Sequence, residues 1–197
     1  MRNSTRFLTA IFLLVASSTA FAHPGHNVSG FAAGLLHPFS GLDHLLAMVA
    51  VGLWAAQGNT MKHGGRKVWL LPVTFMTMLA VGSGIATQWQ SLPLVESGIA
   101  ASVLALGLLI ALSLQLPAAL SVAVTALFGL LHGYAHGLEL PQSAAPAEYA
   151  LGFLAATATL HLSGIAAGLT MRQHHALLSR LLGSAIALSG AYLLASA

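Results

Sequence analysis

"HPFSGLDHLLAM", residues 37–48, brings two histidines and the chain's only aspartate to the edge of a long apolar run. Pro38 has no N–H, so a helix begun near Phe31 must break here and a new one must start. The spacing predicts that Ser40 caps the new helix, because "SGLD" fits the S-x-x-D capping pattern with Asp43 at the third helical position. Capping accounts for Asp43 alone. It leaves His37 and His44 unexplained, two imidazoles brought with that carboxylate to one helix mouth. Met48, four residues after His44, falls one turn deeper on the same face, where apolar packing is the simpler role.

The rest of the chain says what surrounds this helix. Of 197 residues, 57% are hydrophobic and 6% charged, where soluble domains carry about a quarter charged. With a mean hydropathy of +0.84, the chain reads as a membrane protein. Seven Lys/Arg against four Asp/Glu is too thin and scattered a surplus for a nucleic-acid surface. No cysteine is present, which excludes disulfides, thiolate zinc sites and thiol redox chemistry. Ten histidines, in a chain with so few charges, call for a reason.

Residues 1–22 read as a signal peptide. Arg2 and Arg6 form a positive start, "FLTAIFLLVASS" the apolar core, and "AFA" a small-x-small site predicting cleavage after Ala22. An uncleaved first anchor is the alternative, with an apolar core short of the ~20 residues a span needs. The mature start "HPGH" carries His23 and His26, which can gather a metal only loosely. Pro24 lacks the deprotonatable amide that a tight amino-terminal chelate requires.

Residues 23–197 are expected to form a single transmembrane domain, an all-α polytopic bundle. Hydropathy predicts six spans near 41–57, 68–87, 94–114, 117–136, 147–170 and 177–195. Helices are the expected form, since only helices or closed barrels satisfy the backbone in lipid, and no alternating ten-residue strands are visible. Lys62, Arg66 and Lys67 fall in the first loop, and Arg172 and Arg180 flank the fifth. With the mature N-terminus in the periplasm, every one of these cations lies on the cytoplasmic side, as the positive-inside rule requires. The expected location is a bacterial inner membrane.

A second cluster, "LLHGYAHGLEL" (130–140), closes the fourth span at its outer end. At 100° per residue, His132, His136 and Glu139 fall at about 0°, 40° and −20°, one polar stripe. Gly129, Gly133 and Gly137 repeat every four residues on the adjoining face, the small-residue spacing that lets membrane helices approach closely. In the fifth span Thr157, His161, Gly164 and Gly168 share a narrow stripe. His161 lies near mid-span, where ionisable groups normally face a cavity or a partner, so it reads either as a relay ligand or as an interhelical hydrogen-bonder. Glu96 opens the third span as a further carboxylate or a helix N-terminal charge. His63, His174 and His175 read as solvated loop residues.

Both clusters carry a resemblance. His37, Asp43 and His44 match the H-x5-D-H motif of the HupE/UreJ family of nickel permeases. His132, Gly133, His136, Gly137 and Glu139 match its F-H-G-x-[A/V]-H-G-x-E motif, with Leu131 replacing the phenylalanine. The resemblance covers essentially the whole chain. It implies import of Ni2+ across the inner membrane, with some relatives linked to Co2+, to supply nickel enzymes such as hydrogenase or urease. The chemistry agrees: imidazole with carboxylate suits nickel, cobalt, copper or zinc without the very tight grip of thiolate, and does not rank nickel first. The expected metal residues are His37, Asp43, His44, His132, His136 and Glu139, with His44, Asp43, His132 and His136 leading. His161, Glu96, Met48, His23 and His26 form a secondary path.

No prosthetic group is expected, the metal being cargo and the bilayer the other partner. Oligomeric state and energy source are open, except that the chain has no G-x4-GK[S/T] loop for nucleotide. Two other classes stand as alternatives. One is an intramembrane zinc hydrolase using the same His/Asp/Glu cluster, although no H-E-x-x-H is present. The other is a bis-histidine haem electron carrier.

Overall fold

The computed structural model describes residues 30–58, 66–86, 88, 93–140, 145–174 and 176–196. The expected signal peptide, His23, His26, Lys62, His63 and His175 lie outside the described residues. Seven α-helices and no strands occur among the described residues: α1 (Gly30–Leu36), α2 (Leu42–Gly58), α3 (Leu70–Ala86), α4 (Val95–Ala111), α5 (Ala118–Leu138), α6 (Pro146–His174) and α7 (Ala176–Ser196). The chain is a helical membrane bundle. The helices α2 to α7 coincide with the six apolar segments of the sequence.

Their lengths are unequal. Three are long and apolar enough to cross a bilayer: α5, α6 over Pro146–Met171, and α7. The pair Gly30–Phe39 and Leu42–Gly58 meets the same test jointly but bends by 81°. Both α3 and α4 are apolar helices of 17 residues, at the short end of what spans a hydrocarbon core of ~30 Å.

The bend is where Pro38 puts it. Helix α1 stops at Leu36, a 3-10 turn covers His37–Phe39 with the proline in its opening positions, and α2 starts at Leu42. The expected capping box is not formed. Ser40 closes the turn imposed by Pro38 with helical φ −82° and ψ −24°, not the extended backbone an N-cap needs, and its Oγ donates to the His37 carbonyl at 2.6 Å. Asp43 is the second helical residue rather than the third, and its carboxylate turns to His44 instead.

Glycines set which helices touch. A Cβ at Gly129 would overlap Phe75, one at Gly133 the Leu79 carbonyl, and one at Gly137 Ser83 and Ala86. The whole i, i+4 stripe of α5 therefore lies on α3, as its spacing implied. Gly52 and Gly164 meet the same way and join α2 to α6. Gly107 faces Ala187, and Gly183 faces Ala111, joining α4 to α7. Lipid tails are as apolar as leucine, so such close backbone approach supplies much of the association between membrane helices. At the end of α2 away from Pro38, Gln57 Nε2 donates to Ser179 Oγ at 2.7 Å and to the Ile110 carbonyl at 3.3 Å, tying α2, α4 and α7 together.

Candidate metal centre

The bend before α2 and the last turns of α5 converge, and the two histidine clusters become one. His37 Nε2 lies 3.0 Å from Glu139 Oε2, and His136 Nδ1 lies 3.2 Å from the same oxygen. The imidazole of His44 has its ring centroid 4.2 Å from that of His136 and 5.4 Å from that of His132. Among the described residues, His37, His136 and Glu139 present ligand atoms all within 4.8 Å of one another. That compact triad differs from the quartet the sequence put first. His44 and His132 sit beside it, and Asp43 reaches it through His44.

Each buried imidazole is held the same way. Asp43 Oδ1 accepts from His44 Nδ1 at 2.5 Å and from the His44 backbone N–H at 2.8 Å. His132 Nδ1 donates to the Phe128 carbonyl at 2.8 Å. His136 Nδ1 donates to Glu139, and His161 Nδ1 to the Met48 carbonyl at 2.7 Å. A carbonyl or carboxylate oxygen only accepts, so in the neutral form of each ring the proton sits on Nδ1 and the lone pair on Nε2. The Nε2 atoms of His44, His132, His136 and His161 are buried and have no hydrogen-bond partner. An unsatisfied buried polar atom costs about 1–3 kcal/mol, so four bare acceptors in one bundle make an expensive arrangement unless something binds them. This tautomer, with Nδ1–H on an oxygen and Nε2 free, is the form in which histidine ligates metal.

Packing and charge complete the site. A Cβ at Gly41 would lie 2.7 Å from both Asp43 Oδ1 and His44 Nδ1, so a larger residue there would have to displace the Asp43–His44 pair. The Glu139 carboxyl, beyond the end of α5, is held well below the ordinary carboxylate range, first by the hydrogen bond from His136 and then by that from His37. Sequence reading missed the aromatic walls. Phe153 stands 4.3 Å from His136, centroid to centroid, and 5.9 Å from His37. Tyr149, with a buried, unpartnered hydroxyl, is 5.8 Å from His37, and Phe75 is 5.3 Å from His132. Their only signal was position: Tyr149 and Phe153 are one turn apart and precede Thr157 and His161 on one stripe of α6.

The secondary residues divide. His161 is buried on α6, Met48 is fully buried on α2, and the two meet. Glu96 is exposed in the first turn of α4, with no hydrogen bond or ion pair among the described residues, which fits a helix N-terminal charge.

Comparison with known proteins follows the same lines. The family model "HupE / UreJ protein" matches residues 11–193. Protein HupE of Rhizobium leguminosarum bv. viciae is 42% identical over 191 residues, covering 96% of this chain and 97% of that protein. No solved structure matches. Matches running nearly the length of the chain, to the family model and to a relative, place it in the HupE/UreJ family.

Proposed function

We propose that this chain is a permease without nucleotide hydrolysis, importing Ni2+ across the inner membrane, with Co2+ or Zn2+ as competing cargo. The observation that carries the reading is the set of buried Nε2 lone pairs, each on a ring fixed by an oxygen acceptor, at one end of a membrane bundle. His37 and Glu139 form the rim, where a hydrated ion first exchanges water for protein. The Nε2 atoms of His44, His132 and His136 are the ligands behind it. Asp43, Glu139 and the Phe128 carbonyl orient those rings, work that in metal sites falls to hydrogen-bonding partners of the ligands. Nitrogen and oxygen donors without thiolate hold a borderline divalent ion firmly enough to select it and loosely enough to release it. The preference for nickel, and the supply of a hydrogenase or urease, rest on the family motifs.

A hydrolytic role for the same cluster draws less support, because the Glu139 oxygen nearest the imidazoles is occupied by two hydrogen bonds. The test is Ni2+ uptake into proteoliposomes holding the purified chain, with Co2+, Zn2+ and Cu2+ as competitors. Saturable Ni2+ influx reduced by the other ions is expected. Influx no faster than in empty liposomes would reject the permease.

A further inference from the structure

We propose that Nε2 of His161 is a second, deeper station for the same divalent cation, reached from the outer cluster past the ring of Phe75; this rests on the permease reading above. Met48 follows His44 by one turn of α2, a rise of ~6 Å, and its carbonyl holds His161 Nδ1 at 2.7 Å. His161 is therefore displaced along the bundle from the outer rings. The Phe75 ring, wholly buried, touches both levels, with centroids 5.3 Å from His132 and 5.3 Å from His161. It stands at a right angle to the His161 ring.

The rival account is that His161 merely packs and hydrogen-bonds between helices. That account explains Nδ1. It does not explain Nε2, which is buried, bare and on a residue only 1% exposed. A threonine or serine would supply one interhelical hydrogen bond without burying a second polar atom. The arrangement also depends on close backbone approach: a Cβ at Gly52 would run into the His161 carbonyl, and one at Gly164 into the Val49 carbonyl. That approach brings the imidazole within reach of a main-chain oxygen on α2.

The chemistry suits transit. The outer cluster offers several donors, whereas the deeper level offers one imidazole nitrogen. An ion there keeps most of its water and leaves readily. Holding falls off along the path, and His161 carries the ion without trapping it.

His161→Asn separates the two accounts. Its amide nitrogen takes roughly the place of Nδ1 and retains a donor for the Met48 carbonyl, while Nε2 is lost. In proteoliposomes we expect Ni2+ uptake to fall by about tenfold or more, the size of effect that loss of a metal-site contact produces. Equilibrium binding of Ni2+ at the outer cluster and the melting temperature in detergent should stay near those of the parent. Wild-type uptake by this variant would overturn the proposal. A second readout needs no flux and no variant: 15N-histidine-labelled parent protein in micelles, titrated with diamagnetic Zn2+. The His161 Nε2 resonance should shift after those of the outer cluster, and an unmoved resonance at saturation overturns the station. If the parent carries no Ni2+ at all, the permease reading fails while this titration still decides the site.

Discussion

His37 Nε2 and Glu139 Oε2 lie 3.0 Å apart and fasten the bend before α2 to the end of α5. The same carboxylate oxygen takes the His136 Nδ1–H, so one side chain orients two imidazoles from distant parts of the sequence. Glu139→Gln keeps the shape and removes the charge. Ni2+ affinity is expected to weaken by about 10–100-fold, as for loss of a ligand-orienting partner. Because the Glu139 side chain is 47% exposed, the cost to folding stability should be small, under about 1 kcal/mol. Binding by equilibrium dialysis and melting in detergent check the two halves separately. An affinity equal to the parent's would remove Glu139 from the site.

The pH dependence follows from which group titrates. A depressed carboxyl is stabilising above its ordinary value and loses that contribution only as pH falls through its lowered folded value. Glu139, held well down by His136 and His37, therefore stays ionised at mildly acid pH. Loss of binding in acid belongs to imidazole, which ligates only when neutral. Initial Ni2+ uptake at subsaturating metal should fall as protons compete for the imidazole nitrogens in acid, measured at clamped potential with no pH gradient. Proton-coupled import would add a driving force in acid, and repeating the rates with a gradient separates coupling from competition. Affinity that stays flat with falling pH until the fold itself is lost would mean that imidazole nitrogen does not hold the ion.

Asp43 tests orientation against charge. Its Oδ1 accepts from both the ring and the backbone N–H of His44, and an asparagine oxygen still accepts both. Asp43→Asn is expected to lower Ni2+ affinity by about 10-fold at normal membrane abundance, and Asp43→Ala to lower it further by freeing the ring. Equal, mild effects of the two variants would return Asp43 to a helix-start charge.

Much of this was legible in the chain. Pro38 announced the bend, the 132, 136, 139 stripe announced one polar face, and the four-residue glycine repeat announced the face that packs. What the chain did not disclose was partnership. Nothing in the letters says that α3 receives those glycines, or that Phe75 of α3 touches both His132 and His161. A phenylalanine in an apolar helix looks the same facing lipid or lining a site. The capping pattern misled because it is local, and the proline-imposed turn holds Ser40 in helical backbone geometry, where it does not cap. The closeness of His37 to His136 and Glu139 depends on where the bend carries His37, which no local motif states.

Gly133 gives the sharpest test of the packing. A Cβ there would overlap the backbone of Leu79, which cannot move aside as a side-chain tip can. Gly133→Val should lower stability by about 1–3 kcal/mol, the usual range for overpacking. It should also reduce uptake, since His132 and His136 share that helix. Gly84 has open space around a virtual Cβ, so Gly84→Ala should leave melting and uptake unchanged. Equal behaviour of the two variants in a detergent melting assay would contradict the α3–α5 contact.

Orientation decides what the cluster is for. The cluster sits at the end of the bundle where α2 begins and α5 stops. The opposite end holds Gln57 with Ser179, and Arg180 on the Ala111 carbonyl. Arg66 and Lys67 open the 3-10 turn that leads into α3 at that opposite end, and Arg172 lies in the last turn of α6. These cations and Arg180 thus fall away from the cluster, and the positive-inside rule predicts that their end faces the cytoplasm. Alkaline-phosphatase fusions after Lys62 or His174 should be inactive, and fusions after Ser143 active. The reverse pattern would turn the cluster toward the cytoplasm, where the same donors would serve release or export rather than capture.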